Sequence, residues 1–263
     1  MKKIIKYLFL LTGGSFILAS CNDFLDREPL DSVTPDNFFF TENDLAAYAV
    51  KHYNFTTHEG FNAGIWRNDN ATDNQAATDY DKKWIPGQWK VPEAYDNPAS
   101  NDPWYFSAIR EANYFLETVV PRFEKGEIEG SETNIKHYIG EMYFLRAKNY
   151  LSKLETFGDF PIIKNTLPDE SESLIQASKR APRYKVAHFI LEDLDQAISL
   201  LTNNISGGKN RITKNAALLL KSRAALFEAS WLTYHKGTAL VPGGPGWPGK
   251  AEDIADFNID TEI

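Results

Sequence analysis

Aromatic residues set among short polar side chains mark one stretch of this sequence as able to hold a ligand without reacting with it. Between residues 54 and 103, Trp66-Arg67-Asn68-Asp69 is followed by Asp73-Asn74-Gln75 and then Trp84, with Phe55, Phe61, Tyr80, Trp89 and Tyr95 interspersed. A tryptophan face stacks on flat CH surfaces, and Asn, Asp, Gln and Arg beside it supply donors and acceptors. A sugar ring offers both kinds of surface. Trp84, Asp73, Asn74 and Trp66 are therefore the candidate ligand-binding residues, Trp84 first. The competing reading is that each tryptophan plugs a loop onto a helical core.

Residues for catalysis are not assembled in the same way. The histidines, His52, His58, His137, His188 and His235, are scattered, and His58-Glu59 lacks the second histidine of a zinc motif. No serine elbow is present. Glu192, Asp193 and Asp195 fall on what should be a solvated helix face rather than forming a glycosidase pair. Gly244 to Lys250 has phosphate-loop spacing, but Ala251 stands where Ser or Thr would hold magnesium, and Pro245 and Pro248 remove backbone donors. The chain is expected to be no enzyme and to use no cofactor and no metal.

Composition narrows the class further. In 263 residues, 43% hydrophobic and 13% aromatic content suffices for a sizeable core. The net charge of −8 argues against nucleic acid as a partner, since phosphate binding wants a basic face. The first twenty residues hold three lysines and no acid, so the remainder is more negative still.

Those twenty residues have the order of a signal peptide. Lys2, Lys3 and Lys6 precede an apolar stretch from Tyr7 to Leu18 that is too short for a convincing membrane span, and Leu18-Ala19-Ser20 leads into Cys21. Cys21 is the sole cysteine, so disulfides and thiolate metal sites are excluded from the body. Leu-Ala-Ser-Cys resembles a bacterial lipobox, which implies cleavage before Cys21 and a lipid anchor on it. Residues 21–40 lack a sustained period and read as an extended arm.

The elements that must position the aromatic stretch are helices. Thr41 with Asp44 forms a capping-box start for a short helix carrying Leu45, Tyr48 and Ala49. From Asp102 to Phe123, Ile109, Ala112, Leu116 and Val119 make a stripe, with Asp102 as cap and Pro103 at the first helical position. Ile135, Tyr138, Ile139, Met142, Leu145, Tyr150 and Leu154 form the broadest stripe, and Phe144 and Leu151 widen it as a helix between two neighbours requires. Gly158 can take a left-handed cap and Pro161 cannot continue the helix. Pro182 and Thr213 start two more. Arg146-Ala147-x-x-Tyr150 recurs as Arg223-Ala224-x-x-Phe227, which suggests repeated helix pairs. The expected fold is mainly α, tetratricopeptide-like helical hairpins with long irregular loops.

The run Glu141, Phe144, Leu145, Arg146, Ala147, Tyr150, Leu154, Phe157, Gly158, Asp159 and Pro161 resembles a segment shared by the SusD/RagB family of outer-membrane nutrient-binding lipoproteins of Bacteroidetes. Trp104, Tyr105, Ile109, Ala112, Asn113, Phe115, Leu116 and Glu117 carry a second likeness. Arg211-Ile212-Thr213-Lys214-Asn215-Ala216-Ala217 carries a third, with Asn210 in place of glycine. Asn113 is expected to bond a loop backbone.

The resemblance implies a cell-surface, glycan-binding lipoprotein of the cell outer membrane, anchored at Cys21, that delivers oligo- or polysaccharide to a SusC-like TonB-dependent transporter. Peptide capture of the RagB kind, or a helical adaptor without ligand, are the alternatives. It also implies that Trp84 takes the place of an aromatic shelf. The domain reading is a lipoprotein signal peptide at 1–20, a lipidated arm at 21–40 and a SusD-like N-terminal helical domain at 41–263. The C-terminal half of such proteins is absent, as a truncated or split reading frame would leave it.

Overall fold

The computed structural model describes residues 38–55, 71–72, 75–76, 104–205 and 210–263. The chain divides into Met1–Phe38 and Phe39–Ile263, and the second unit carries every element named below. Among the described residues there are seven α-helices: α1 (Glu42–Lys51), α2 (Ser107–Lys125), α3 (Glu132–Phe157), α4 (Ser171–Ala177), α5 (Arg183–Leu200), α6 (Lys214–His235) and α7 (Ile259–Glu262). A two-stranded antiparallel ladder joins β1 (Ala71–Thr72) to β2 (Gln75–Ala76). The fold is mainly α, and successive antiparallel helix pairs of the tetratricopeptide kind build it.

α3 lies at the centre, packed by α1 and α2 on one side and by α5 on the other, with α6 laid against α5. Its composition explains the position. Ile135, Tyr138, Ile139, Met142, Phe144, Leu145, Ala147, Tyr150, Leu151 and Leu154 are all buried, so the helix has too many apolar faces for one neighbour to cover. Gly140 lets Leu200 and Leu201 come close, because a Cβ there would stand 3.0 Å from the Leu201 side chain. α6 is covered less completely. Leu219, Leu226 and Tyr234 are 73%, 69% and 85% exposed along one of its faces.

Local signals set most helix ends. Thr41 accepts from the Asp44 N–H at 3.3 Å while the Asp44 carboxylate accepts from the Thr41 N–H at 2.9 Å, so the capping box forms as its residue types require. Thr213 accepts from the Ala216 N–H in the same way. Gly158 ends α3 with φ 70° and ψ −97°. The positive φ is as expected, but this ψ lies outside the left-handed helical region and favours glycine more strongly still.

Two expectations need correction. α2 begins at Ser107 rather than near Asp102, and Trp104 and Phe106 turn inward to pack on Phe157 and Phe160. The packing of these four rings, with Phe160 fully buried among them, outweighs one more helical turn. Asp193 is not solvated: it is 3% exposed, because Arg146 on α3 reaches across to it. Arg223, the echo of Arg146, is exposed, although Ala147 and Ala224 are both buried. The repeat therefore extends to the close helix contact and not to the ion pair.

Phe39 shows how firmly the start of the body is held. Its ring is fully buried, 5.1 Å from Tyr48 and 5.3 Å from Phe115, and its backbone takes φ 70°. A non-glycine residue adopts that conformation at a cost of about 1–3 kcal/mol. Burial of a phenylalanine ring, about 1.5–3 kcal/mol, offsets it.

Candidate functional site

The segment 56–103, which carries the candidate ligand residues, is bounded by two anchored ends, and both lie on α3. At the outgoing end the anchor is Glu141, whose carboxylate is fully buried. A buried carboxylate needs partners on both oxygens. Tyr53 donates to Oε1 at 2.7 Å, Arg211 Nε donates to Oε1 at 2.8 Å, and Arg211 Nη2 closes on Oε2. The two-pronged guanidinium contact is the strong form of such a pair.

The same node reaches further. The Tyr53 hydroxyl accepts from the Ile212 N–H at 3.0 Å, and Arg211 Nη1 donates to the Ala46 carbonyl at 3.4 Å. One carboxylate thus ties together α1, the residues just before segment 56–103 and the entry to α6. Burial, and then the Glu141 charge, push the Tyr53 hydroxyl well above its ordinary range. His137 completes the surroundings. The Thr202 N–H donates to its Nδ1 at 3.2 Å, which assigns the proton of a neutral ring to Nε2, 3.1 Å from Glu141 Oε1.

About two turns beyond, Lys148 Nζ donates to the Asn54 carbonyl at 3.1 Å and sits 5.2 Å over the Phe55 ring. Burial lowers the Lys148 ammonium below its usual value. At the returning end Trp104 packs edge-on against Phe157 and Phe160, each 4.9 Å away, with the Arg180 guanidinium 4.8 Å over its ring. Lys148 and Phe157 are roughly 14 Å apart along α3 at about 1.5 Å per residue. Nine residues make about two and a half turns of α-helix, so the two flanks of segment 56–103 are held on opposite faces of the central helix.

Trp84, Trp66, Asp73 and Asn74 lie outside the described residues, as does Cys21. The backbone on either side of Asp73 and Asn74 is described: Ala71 pairs with Ala76 and Thr72 with Gln75.

A second buried polar node braces the FGDFP turn that α3 runs into. Arg146 donates through Nε and Nη2 to the two oxygens of Asp193, each at 2.7 Å, and through Nη1 to Asn113 Oδ1 at 2.8 Å. Asn113 Nδ2 then donates to the carbonyls of Ile163 and Asn165 at 2.8 and 3.2 Å. That is the structural role expected of Asn113. Tyr150 holds the same strand-like stretch, accepting from the Ile163 N–H at 2.8 Å and donating to its carbonyl at 3.2 Å. Burial holds the Asp193 carboxyl above its ordinary value even with Arg146 beside it.

The sequence did not point to Glu141, Tyr53 and Arg211 as a set. The usable signal was Glu141 itself, an acid on a helix apolar all round, which must find a cation from elsewhere.

This arrangement of helix pairs matches known proteins. A family model described as SusD-like, "Starch-binding associating with outer membrane", matches residues 23–226. The chain belongs to the SusD-like family. The matched span takes in segment 56–103 and both of its anchors. Two SusD-like proteins of Formosa agariphila are similar, one 28% identical over 203 residues and another 23% identical over 243 residues. These alignments cover 75% and 88% of this chain but 37% and 44% of the relatives. The chain thus spans less than half the length of the SusD-like relatives it matches. A crystal structure of a SusD-like protein from Bacteroides fragilis superposes with a TM-score of 0.58 at 26% identity, covering 78% of this chain and 39% of that one.

Proposed function

We propose that this SusD-like chain is a cell-surface lipoprotein that captures oligo- or polysaccharide and passes it to a SusC-like TonB-dependent transporter. The observation that carries the reading is the match of residues 23–226 to a family described as starch-binding and outer-membrane associated. Segment 56–103 supports it by composition, with Trp66 and Trp84 as stacking faces and Asp73 and Asn74 as hydrogen-bond partners. The anchors at Tyr53 and Trp104 support it by geometry, since a binding segment needs fixed ends on a rigid element. In this role the chain performs no chemistry. Residues 1–20 direct export, Cys21 carries the lipid, 21–40 form the arm, and the body from 41 onward holds the ligand.

The test uses cells that express the full chain, fractionated and then exposed to fluorescent soluble starch and other labelled polysaccharides. The chain should fractionate with the outer membrane, and the cells should retain one of the polysaccharides. Cys21→Ala should release the chain from the membrane, and Trp84→Ala should lose the polysaccharide while staying anchored. A chain that is anchored but retains none of the polysaccharides would overturn the proposal.

A further inference from the structure

Helix starts recur along this chain at a fixed interval. α2, α5 and α7 begin at Ser107, Arg183 and Ile259, 76 residues apart each time. The first two each open a helix pair, α2 with α3 and α5 with α6, so α7 stands where a third pair would open. Stacked repeats cover one another's apolar faces, and a repeat without its next neighbour keeps a bare face.

α5 shows how the second pair docks on the first. It enters over the C-terminal end of α3, where the Arg183 N–H donates to Asp159 at 2.8 Å. It then runs back antiparallel to α3, bringing Asp193 to Arg146 and the Thr202 N–H to His137 at 3.2 Å. α7 makes the same entry on α6. Asp260 pairs with Lys236 just past the end of α6, and Glu262 meets His188 on α5 at 2.7 Å.

Along the path back from that entry, α6 is bare. Leu219, Ser222, Arg223 and Leu226 share one face at i, i+3, i+4 and i+7, and all four are exposed. Their counterparts 77 residues earlier are Met142, Leu145, Arg146 and Asn149, the first three of them buried. Arg146 has Asp193 on the next helix, whereas Arg223 has no ion-pair partner among the described residues.

Charge names the occupant. The one acid on α6, Glu228, is buried and committed to Arg183, while Lys214, Lys221 and Arg223 leave the helix basic. A second copy would lay one basic helix against another and leave both Arg223 side chains without an acid. We infer that this face docks one further helix, amphipathic and antiparallel to α6, whose apolar stripe covers Leu219 and Leu226 and whose carboxylate pairs with Arg223 as Asp193 pairs with Arg146. Counted from the point where α7 begins, the acid falls at the eleventh residue, as Asp193 does in α5. Its source is a SusD-like polypeptide: the alignments cover 37% and 44% of the relatives, so more than half of each lies outside them. The inference does not depend on the glycan-binding reading.

The α5 segment itself is the probe. A labelled peptide of residues 187–202 carries the stripe of Phe189, Ile190, Leu194 and Ala197 around Asp193, and fluorescence anisotropy measures its binding to the full chain in lipid nanodiscs. The peptide should bind, Arg223→Glu should weaken binding at least tenfold, and the Asp193→Arg peptide should restore it in that variant. Leu226→Glu should abolish binding. Both positions are exposed, so neither change disturbs the core, and circular dichroism checks that the helices persist. Absence of binding, or binding that the paired charge reversal does not track, overturns the inference. So do dimers that Leu226→Glu dissolves, found by cross-linking the chain in vesicles without peptide, since they assign the face to a second copy.

Discussion

Arg146 and Asp193, on the two helices in closest contact, are joined by two hydrogen bonds of 2.7 Å with neither side chain more than 7% exposed. Removing one partner leaves a charge in the core. Asp193→Ala should therefore cost about 3–5 kcal/mol. Replacing both, as Arg146→Met with Asp193→Leu, should cost clearly less than the sum of the single changes. Urea unfolding of the four proteins of that cycle measures the difference.

Tyr150 ties α3 to the stretch after the turn. Tyr150→Phe strands the Ile163 N–H and should cost about 1–3 kcal/mol. Burial pushes this hydroxyl from 10.0 up to about 12. The folded state then keeps the proton at a pH where the unfolded state has released it, so unfolding sheds a proton and stability falls as pH rises through that window. The slope from this one group approaches about 1.4 kcal/mol per pH unit. Denaturant midpoints measured across the alkaline range should fall less steeply in Tyr150→Phe.

Asp159 should shape the acid side. Burial raises its carboxyl above the ordinary 3.8, against the lowering effect of the Arg183 N–H and the Trp247 indole. Between the ordinary and the raised value the folded state holds the proton and the unfolded state does not, so this group's contribution declines as pH rises. Asp159→Asn removes that share of the pH dependence. A thermal unfolding series from pH 3 to 6 would show a changed slope in the variant; parallel curves would contradict the assignment.

Much of this architecture was legible because short-range chemistry decides it. The Thr41 and Thr213 caps and the Gly158 stop each follow from residue type and local spacing. What could not be read were partnerships across the chain. Asp193 belongs with Glu192 and Asp195 by neighbourhood, and only the packing of α5 on α3 turns it inward. Arg183 and Glu228, and Arg211 and Glu141, are likewise joined by helix packing that the linear pattern does not encode. Trp104 was placed on a helix by its neighbours, whereas the aromatic cluster with Phe157 and Phe160 draws it off.

The central claim is glycan capture through segment 56–103. Affinity electrophoresis of the full chain in detergent, through gels containing starch and a panel of other polysaccharides, tests it with Trp84→Ala in the adjacent lane. Retardation by one polysaccharide, weakened at least tenfold in Trp84→Ala while circular dichroism shows the helices intact, is the result the account predicts. A folded chain that none of the polysaccharides retards would contradict it.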